Sequence, residues 1–374
     1  MRIALDAMGG DHGPRPAVEG AVAAVRRFGI EVVLVGRARY LERLIAAIKV
    51  RDSRIHLVDA PDIVTMEDSP KESLRKSQSS LAVAADLVRK GDCQALVSAG
   101  NTGAVHAHAL LSMRTLPGIK KPAIATLLPT YSEPVVVLDA GANVDCKPRQ
   151  LVNFAIMGNV YAREVLRRAN PRVGLLNIGE EETKGNELTI EVGRILRTSQ
   201  LNFLGNAEGR DVFSGDYDVI VCDGFVGNVL LKCAEGCAQF AMQSIKREVR
   251  KSLLTLIGAV LMKPALRRFR RRVDYDEYGG APLLGTNGVC IICHGKSNTK
   301  AFKNALSVAR EAVTHQLNQH ILDELNRHSY LAASFDKSVP DAASCASSPD
   351  ETARPEAFPS RDSIPNSSSE VSVQ

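Results

Sequence analysis

Val219-Ile220-Val221-Cys222-Asp223-Gly224-Phe225-Val226-Gly227-Asn228 is an apolar run that stops at a glycine, with an asparagine close behind. The pattern occurs five times in the chain. The other four are Ala95–Ser98 into Gly100-Asn101, Val135–Leu138 into Gly141-Ala142-Asn143, Val173–Ile178 into Gly179 and Lys184-Gly185-Asn186, and Val289–Cys293 into His294-Gly295-Lys296-Ser297-Asn298. Helix-like sequence follows each loop. Glycine frees the backbone for a tight turn, and asparagine suits a helix N-cap because its side-chain oxygen accepts an otherwise unpaired N–H. The repeated strand–loop–helix order predicts an α/β fold, doubly wound around a mostly parallel sheet. If the five strands lie parallel in one sheet, all five loops crowd one edge. Backbone N–H donors and helix N-termini then line that edge, a place suited to phosphate or an oxyanion. The chain reads as an enzyme built around an anionic group.

Upstream of these units, Ile3–Asp6 leads through Met8-Gly9-Gly10-Asp11 to a helix begun near Pro14 or Pro16. Val32–Val35 and Ile55–Val58 read as strands and Tyr40–Ile48 as a helix. A polar loop runs from Asp62 to Gln78, and a helix is entered at Ser79-Ser80. Thr299–Leu325 reads as one terminal amphipathic helix. The 374 residues are 45% hydrophobic with no tryptophan, which suits an aliphatic-rich α/β enzyme. The sequence shows no secretory signal and no apolar run of about 18 residues, so a cytoplasmic protein is expected, its eight cysteines thiols. Residues 1–330 are expected to form the α/β body. Residues 331–374, rich in small and acidic residues from 336 onward, are expected to be a disordered tail.

The net charge of +5 is unevenly spread. Segment 246–272 holds ten basic residues against one acid, whereas the tail from Asp336 carries three basic and seven acidic residues. Within 246–272, Leu253–Met262 is apolar almost all round and too short to span a bilayer. Pro264 breaks it, and Arg267-Arg268-Phe269-Arg270-Arg271-Arg272 follows. A greasy helix beside cations suits an interfacial anchor, with Leu253, Leu254, Ile257, Val260 and Leu261 in the acyl region and Arg267 and Arg268 at anionic headgroups. A buried helix at a dimer contact is the alternative. Nucleic-acid binding fits poorly, because the basic residues surround a continuous apolar run.

The loops carry Asp139, Lys184, Asp223 and His294, but none fits a dinucleotide fingerprint or a P-loop. Lys184, just ahead of a helix start, pairs either with phosphate or an oxyanion, or with one of the three glutamates Glu180–Glu182. His294 hydrogen-bonds phosphate, acts as an acid or base, or simply caps its loop. Arg75, Lys76 and Ser80 form a further candidate anion site or a solvated basic turn. Cys290-Ile291-Ile292-Cys293-His294 spells a haem-attachment string, but it lies inside an apolar strand where residues three apart face opposite ways. His106 and His108 also diverge on a helix-like stretch. No metal site is expected.

Seven ordered motifs resemble the bacterial phosphate acyltransferase family. They are Met8-Gly9-Gly10-Asp11, Ser98-Ala99-Gly100-Asn101-Thr102-Gly103-Ala104, Asp139-Ala140-Gly141-Ala142-Asn143-Val144-Asp145, Phe154-Ala155-Ile156-Met157-Gly158, Lys184-Gly185-Asn186-Glu187, Asp223-Gly224-Phe225-Val226-Gly227-Asn228 and His294-Gly295. The similarity runs from Arg2 to about Gln319. It implies a fold related to isocitrate and isopropylmalate dehydrogenases, and reversible acyl transfer from acyl-(acyl carrier protein) to inorganic phosphate without a cofactor. The acyl phosphate made would serve phospholipid synthesis through a downstream glycerol-3-phosphate acyltransferase. A homodimer that visits the inner face of the cell membrane is also implied. Lys184 would hold phosphate or the oxyanion, Asn228 would complete the hole, and His294 would assist phosphate binding or proton movement. Asn101, Thr102, Gly103, Asn143 and Gly227 would shape the pocket, with Gly10, Asp11, Arg75, Ser80, Asp139 and Asp223 as further phosphate or substrate contacts. An acetyl- or butyryl-phosphotransferase using coenzyme A, a dehydrogenase of related fold, and a non-catalytic membrane scaffold remain as rivals.

Overall fold

The computed structural model describes residues 1–273 and 279–334, and each of the five apolar runs contains a β-strand. In chain order the strands are β1 (Arg2–Asp6), β2 (Glu31–Gly36), β3 (Ile55–Asp59), β4 (Ala95–Ser98), β5 (Ala123–Ile124) and β6 (Thr126–Leu128). Then come β7 (Val135–Leu138), β8 (Val173–Leu176), β9 (Phe203–Ala207), β10 (Val219–Val221), β11 (Ala281–Leu284) and β12 (Val289–Ile292). Branched aliphatic residues dominate these runs, and β4, β7, β8, β10 and β12 are buried along their whole length, as strands covered on both faces must be.

The α/β, mostly parallel architecture holds, but the strands divide between two sheets rather than one. The first has the order β3-β2-β1-β4-β12-β11-β5, the second β6-β7-β10-β8-β9. Antiparallel strands mark the change. β5 pairs antiparallel with β11 at the edge of one sheet, and β6 pairs antiparallel with β7 at the edge of the other. Residues 123–128 thus pass from one sheet to the next with only Ala125 between, and Ala125 N–H donates to Pro282 O at 2.9 Å. One hydrophobic core nevertheless serves both sheets, running from Ile3 and Leu5 through Val97 to Val136, Val219 and Val221. The helix Pro148–Glu164 fills its centre with Phe154 and Met157, both fully buried. Burial of each is worth about 1.5–3 kcal/mol.

Four further expectations change. The terminal helix is two, Thr299–Thr314 and Leu317–Arg327, because Gln316 turns left-handed at φ 46°. The polar loop from Asp62 contains a short helix, Pro70–Arg75, closed by a reciprocal Ser69–Glu72 capping box. Asparagine caps three of the five helices: Asn101, Asn186 and Asn298 accept N–H bonds at their helix starts. After β7 the cap position falls to Lys147, and after β10 Asp223 caps, its Oδ1 accepting Val226 N–H at 2.8 Å. The body also runs past residue 330, since Leu331 is buried. Of the expected disordered tail, 331–374, the residues from 335 on lie outside the described residues.

The basic apolar segment is mostly helical, and none of residues 246–269 is buried. Gly224–Val249 is a 26-residue helix whose buried residues are Gly224 and Gly227, both in its first turn. Leu253–Leu261 follows with none buried, and Lys263–Val273 starts with Pro264 in its first turn, where proline is tolerated. The buried-helix alternative therefore finds no intrachain core: Leu253, Leu254 and Leu261 are each about four-fifths exposed. No helix among the described residues is long and apolar enough to cross a membrane.

Candidate functional site

Four of the five glycine–asparagine loops meet at one cavity of about 300 Å³ between the two sheets. The β4 loop supplies Thr102, Gly103 and His106; the β12 loop supplies Cys293 and His294. From the second sheet, the β7 loop supplies Ala140, Gly141 and Ala142, and the helix after β10 supplies Asn228, Leu231, Lys232 and Glu235. Ile124 and Thr126, on the segment joining the sheets, form the floor with Ala281 and Ile292. The fifth loop, after β8, contributes nothing to the lining. Strand order is the reason: β8 lies beyond β10, two strand spacings or roughly 10 Å from β7.

Asp139 organises the second-sheet side. Its buried carboxylate accepts N–H bonds from Ile124, Gly141 and Ala142 on Oδ1 and from Asn143 N and Nδ2 on Oδ2, all within 2.7–3.1 Å. Burial pushes the Asp139 carboxyl above the ordinary range, against the pull of those donors. An anion so fully engaged holds the loop in shape and has no capacity left for phosphate. Asn143 ties this loop to its neighbours: Nδ2 donates to Pro122 O at 2.7 Å, and its carbonyl accepts Gly224 N–H at 2.7 Å. Gly227 lets the helix approach, because a Cβ there would lie 1.9 Å from Asp139 O.

Asp6 plays the matching part in the first sheet. Buried at 2% exposure, it accepts from Met8 N, Gly9 N and Ser98 Oγ, and Ser98 Oγ in turn accepts Gly100 N–H at 3.1 Å. Gly10 and Asp11 brace the β12 loop, with Asp11 N–H donating to Gly295 O at 2.7 Å. In that loop Lys296 N–H donates to His294 Nδ1 at 3.1 Å, which leaves the imidazole proton on Nε2.

Of the residues singled out from the sequence, Thr102, Gly103, Asn228 and His294 line the cavity, while Gly10, Asp11, Asn101, Asp139, Asn143, Asp223 and Gly227 shape its loops. Asn101 uses its amide fully, capping Ala104 N–H and donating to Met66 O. Arg75 and Ser80 stand off the lining: Arg75 is exposed, Ser80 is buried in its own helix, and neighbouring Lys76 is paired with Asp68. Lys184 is exposed on the β8 loop, with no ion pair among the described residues; Glu180 and Glu182 pair instead with Arg210 and Arg197. Lys232, His106 and Thr126 were not anticipated. The i,i+4 spacings Asn228–Lys232 and Thr102–His106, each on one helix face, were the available signal for the first two. Thr126 had none. Lys232 bonds Glu235 at 2.9 Å, a partly exposed pair worth at most about 1 kcal/mol and open to displacement by an anion. Burial holds His106 below the ordinary histidine range. Cys290, behind the site, is pushed up to about 12 by burial and is no ready nucleophile.

Residues 1–320 match the family described as fatty acid synthesis protein. A phosphate acyltransferase of Heliobacterium modesticaldum is 54% identical over 316 residues, covering 84% of this chain and 94% of its own. One of Syntrophotalea carbinolica is 48% identical over 324 residues, covering 86% and 93%. Among solved structures, a phosphotransacetylase of Streptococcus pyogenes superposes with a TM-score of 0.55 at 15% identity, over 84% of this chain and 94% of that one. A branched-chain phosphotransacylase of Enterococcus faecalis gives 0.52 at 14%, over 84% and 99%. At such identities these structures speak for the fold.

Proposed function

The chain belongs to the phosphate acyltransferase family and transfers an acyl group to phosphate; we propose that the donor is a fatty acyl-(acyl carrier protein) and that the acyl phosphate formed feeds phospholipid synthesis. The supporting observation is the convergence of four loops from two sheets on one cavity, with a hydroxyl, an amide, an imidazole and an ammonium group on its wall. In the proposed step an oxygen of monohydrogen phosphate attacks the thioester carbonyl carbon. The C–S bond breaks, the phosphate proton passes to the departing thiolate, and acyl phosphate and free thiol result. The chain's part is to hold the two substrates together and to stabilise charge. Asn228 and His294, through Nε2–H, face the developing oxyanion or the phosphate. We assign the phosphate cation to Lys232, which already stands at the wall. Lys184, the candidate of the sequence pattern, serves only if the β8 loop moves inward.

The bare helices 224–261 support two more parts of the reading. Apolar side chains such as Phe240, 74% exposed, call for a second copy along the long helix, hence a homodimer. Leu253, Leu254, Ile257, Val260 and Leu261, with Arg267 and Arg268, suit the anionic inner face of the cell membrane, where a glycerol-3-phosphate acyltransferase would receive the product. The same cations suit the acidic surface of a carrier protein.

The test is acyl phosphate formation from acyl-(acyl carrier protein) and phosphate, with acyl-coenzyme A as the comparison donor. Turnover only with coenzyme A would return the chain to the phosphotransacetylase reading. In the same assay Lys232→Met is expected to raise KM for phosphate at least about tenfold, roughly the 1.4 kcal/mol of one charge-assisted contact. Lys184→Ala is expected to change it little. The reverse outcome restores Lys184.

A further inference from the structure

His106 stands on the cavity wall without a side-chain hydrogen bond among the described residues. The helix Thr102–His108, capped by Asn101, carries Thr102 and His106 on one face, and both line the cavity. Neither ring nitrogen of His106 has a hydrogen-bond partner among the described residues. They differ in exposure: Nε2 is occluded and unpaired, whereas Nδ1 keeps accessible surface.

That difference favours one place for the proton. A neutral imidazole carries one N–H. On Nε2 it would be a buried donor without an acceptor, a costlier orphan than the lone pair that the other tautomer leaves there. On Nδ1 it is open to solvent or ligand. A second proton would create the buried orphan donor and a buried charge together, and burial already holds the group below the ordinary histidine range. Asp139 pulls it up and Lys121 pushes it down, while Lys232, Glu235, Cys293 and His294 are the other titratable side chains lining the same cavity.

We propose that His106 donates a hydrogen bond from Nδ1 to an anionic oxygen of the reacting substrates, a third donor beside Asn228 and His294. It acts as a fixed dipole that needs no proton transfer of its own, the kind of preorganised donor that stabilises charge in an acyl-transfer transition state. The inference rests on the phosphate acyltransferase reading of the cavity.

Steady-state acyl phosphate formation by the full chain, with kcat and KM for inorganic phosphate measured separately, tests it in three variants. His106→Asn places an amide nitrogen near the position of Nδ1, His106→Gln reaches instead toward Nε2, and His106→Leu removes both. The asparagine variant is expected to stay within about tenfold of wild type, with the other two falling about 10²–10³-fold. A rise in KM for phosphate puts the acceptor on phosphate; a fall in kcat at constant KM puts it on the carbonyl oxygen; either supports the donor. The inference is overturned if the leucine variant keeps its activity within about threefold, or if asparagine falls as far as leucine or no less than glutamine. Thermal unfolding runs alongside, and should the leucine variant fail to fold, the asparagine–glutamine contrast decides. A wild type that forms no acyl phosphate overturns the reading of the cavity itself, whereas an active wild type with a dispensable His106 overturns this inference alone.

Discussion

The helix Gly224–Val249 is locked at one end and bare at the other. Across its first turn, a Cβ on Gly224 would lie 2.7 Å from Asn143 O, and one on Gly227 1.9 Å from Asp139 O. Farther along, a Cβ on Gly236 would meet nothing within 4 Å, nor would one on Gly258 in the next helix. The same residue type thus does opposite things: near the cavity it permits backbone contact, and on the arm it only loosens a helix. Apolar side chains show the same division. Val219 and Val221, just ahead of the helix, sit in the common core, whereas Phe240, Ile245 and Leu253 lie open. The wall of the cavity is built within one chain. Past its first turn the arm has no buried residue in Gly224–Val249 or Leu253–Leu261.

The largest expected effect is at the locked end. Asp139→Ala leaves five N–H donors of the β7 loop and β5 without their acceptor, and is expected to abolish turnover and lower unfolding free energy by more than about 3 kcal/mol in urea titration. Gly227→Ala comes next, at about 1–3 kcal/mol or more with a matching loss of kcat, since backbone must move to admit the methyl group. On the arm, Leu254→Glu combined with Ile257→Glu is expected to remove binding to anionic vesicles while turnover on soluble substrates stays within about twofold; vesicle binding that survives ends the anchor reading. Gly236→Ala is expected to stabilise slightly, by about 0.5–1 kcal/mol, with activity unchanged. If Gly227→Ala proved as harmless, the contrast between the two ends would be broken.

The smallest effect concerns acid. Burial holds both His106 and His108 below the ordinary histidine range, so the unfolded chain takes up protons first. Stability is therefore expected to fall as pH drops below about 6.5. His108→Gln should make the slope of unfolding free energy against pH shallower between pH 7 and 5, and an unchanged slope would remove His108 from the account.

Much of the molecule is legible locally. The apolar runs, the glycines that end them and the caps at Asn101, Asn186 and Asn298 follow from burial and hydrogen bonding among near neighbours in the chain. The apolar stretch at 253–262 with its flanking cations is equally plain, because it is contiguous. Lys184 reads as central from the sequence because its motif sits beside a helix start, as the others do, yet the fold sets its loop off the cavity lining. Nothing local shows that β10 inserts between β7 and β8 and carries Lys184 off the wall. Nor could spacing show that His106 leaves Nε2 orphaned, since that depends on what the surrounding elements fail to offer.

The sequence by itself therefore determined the α/β class, the anion-suited loops, the charge segregation and, through its motifs, the family. Tertiary structure decided that the strands form two sheets, that four loops of five meet, and that Lys232 rather than Lys184 stands at the cavity. The reason is physical: strand formation and capping are satisfied within a few residues, whereas strand order is settled by packing between segments far apart in the chain, and it alone sets which loop ends come together.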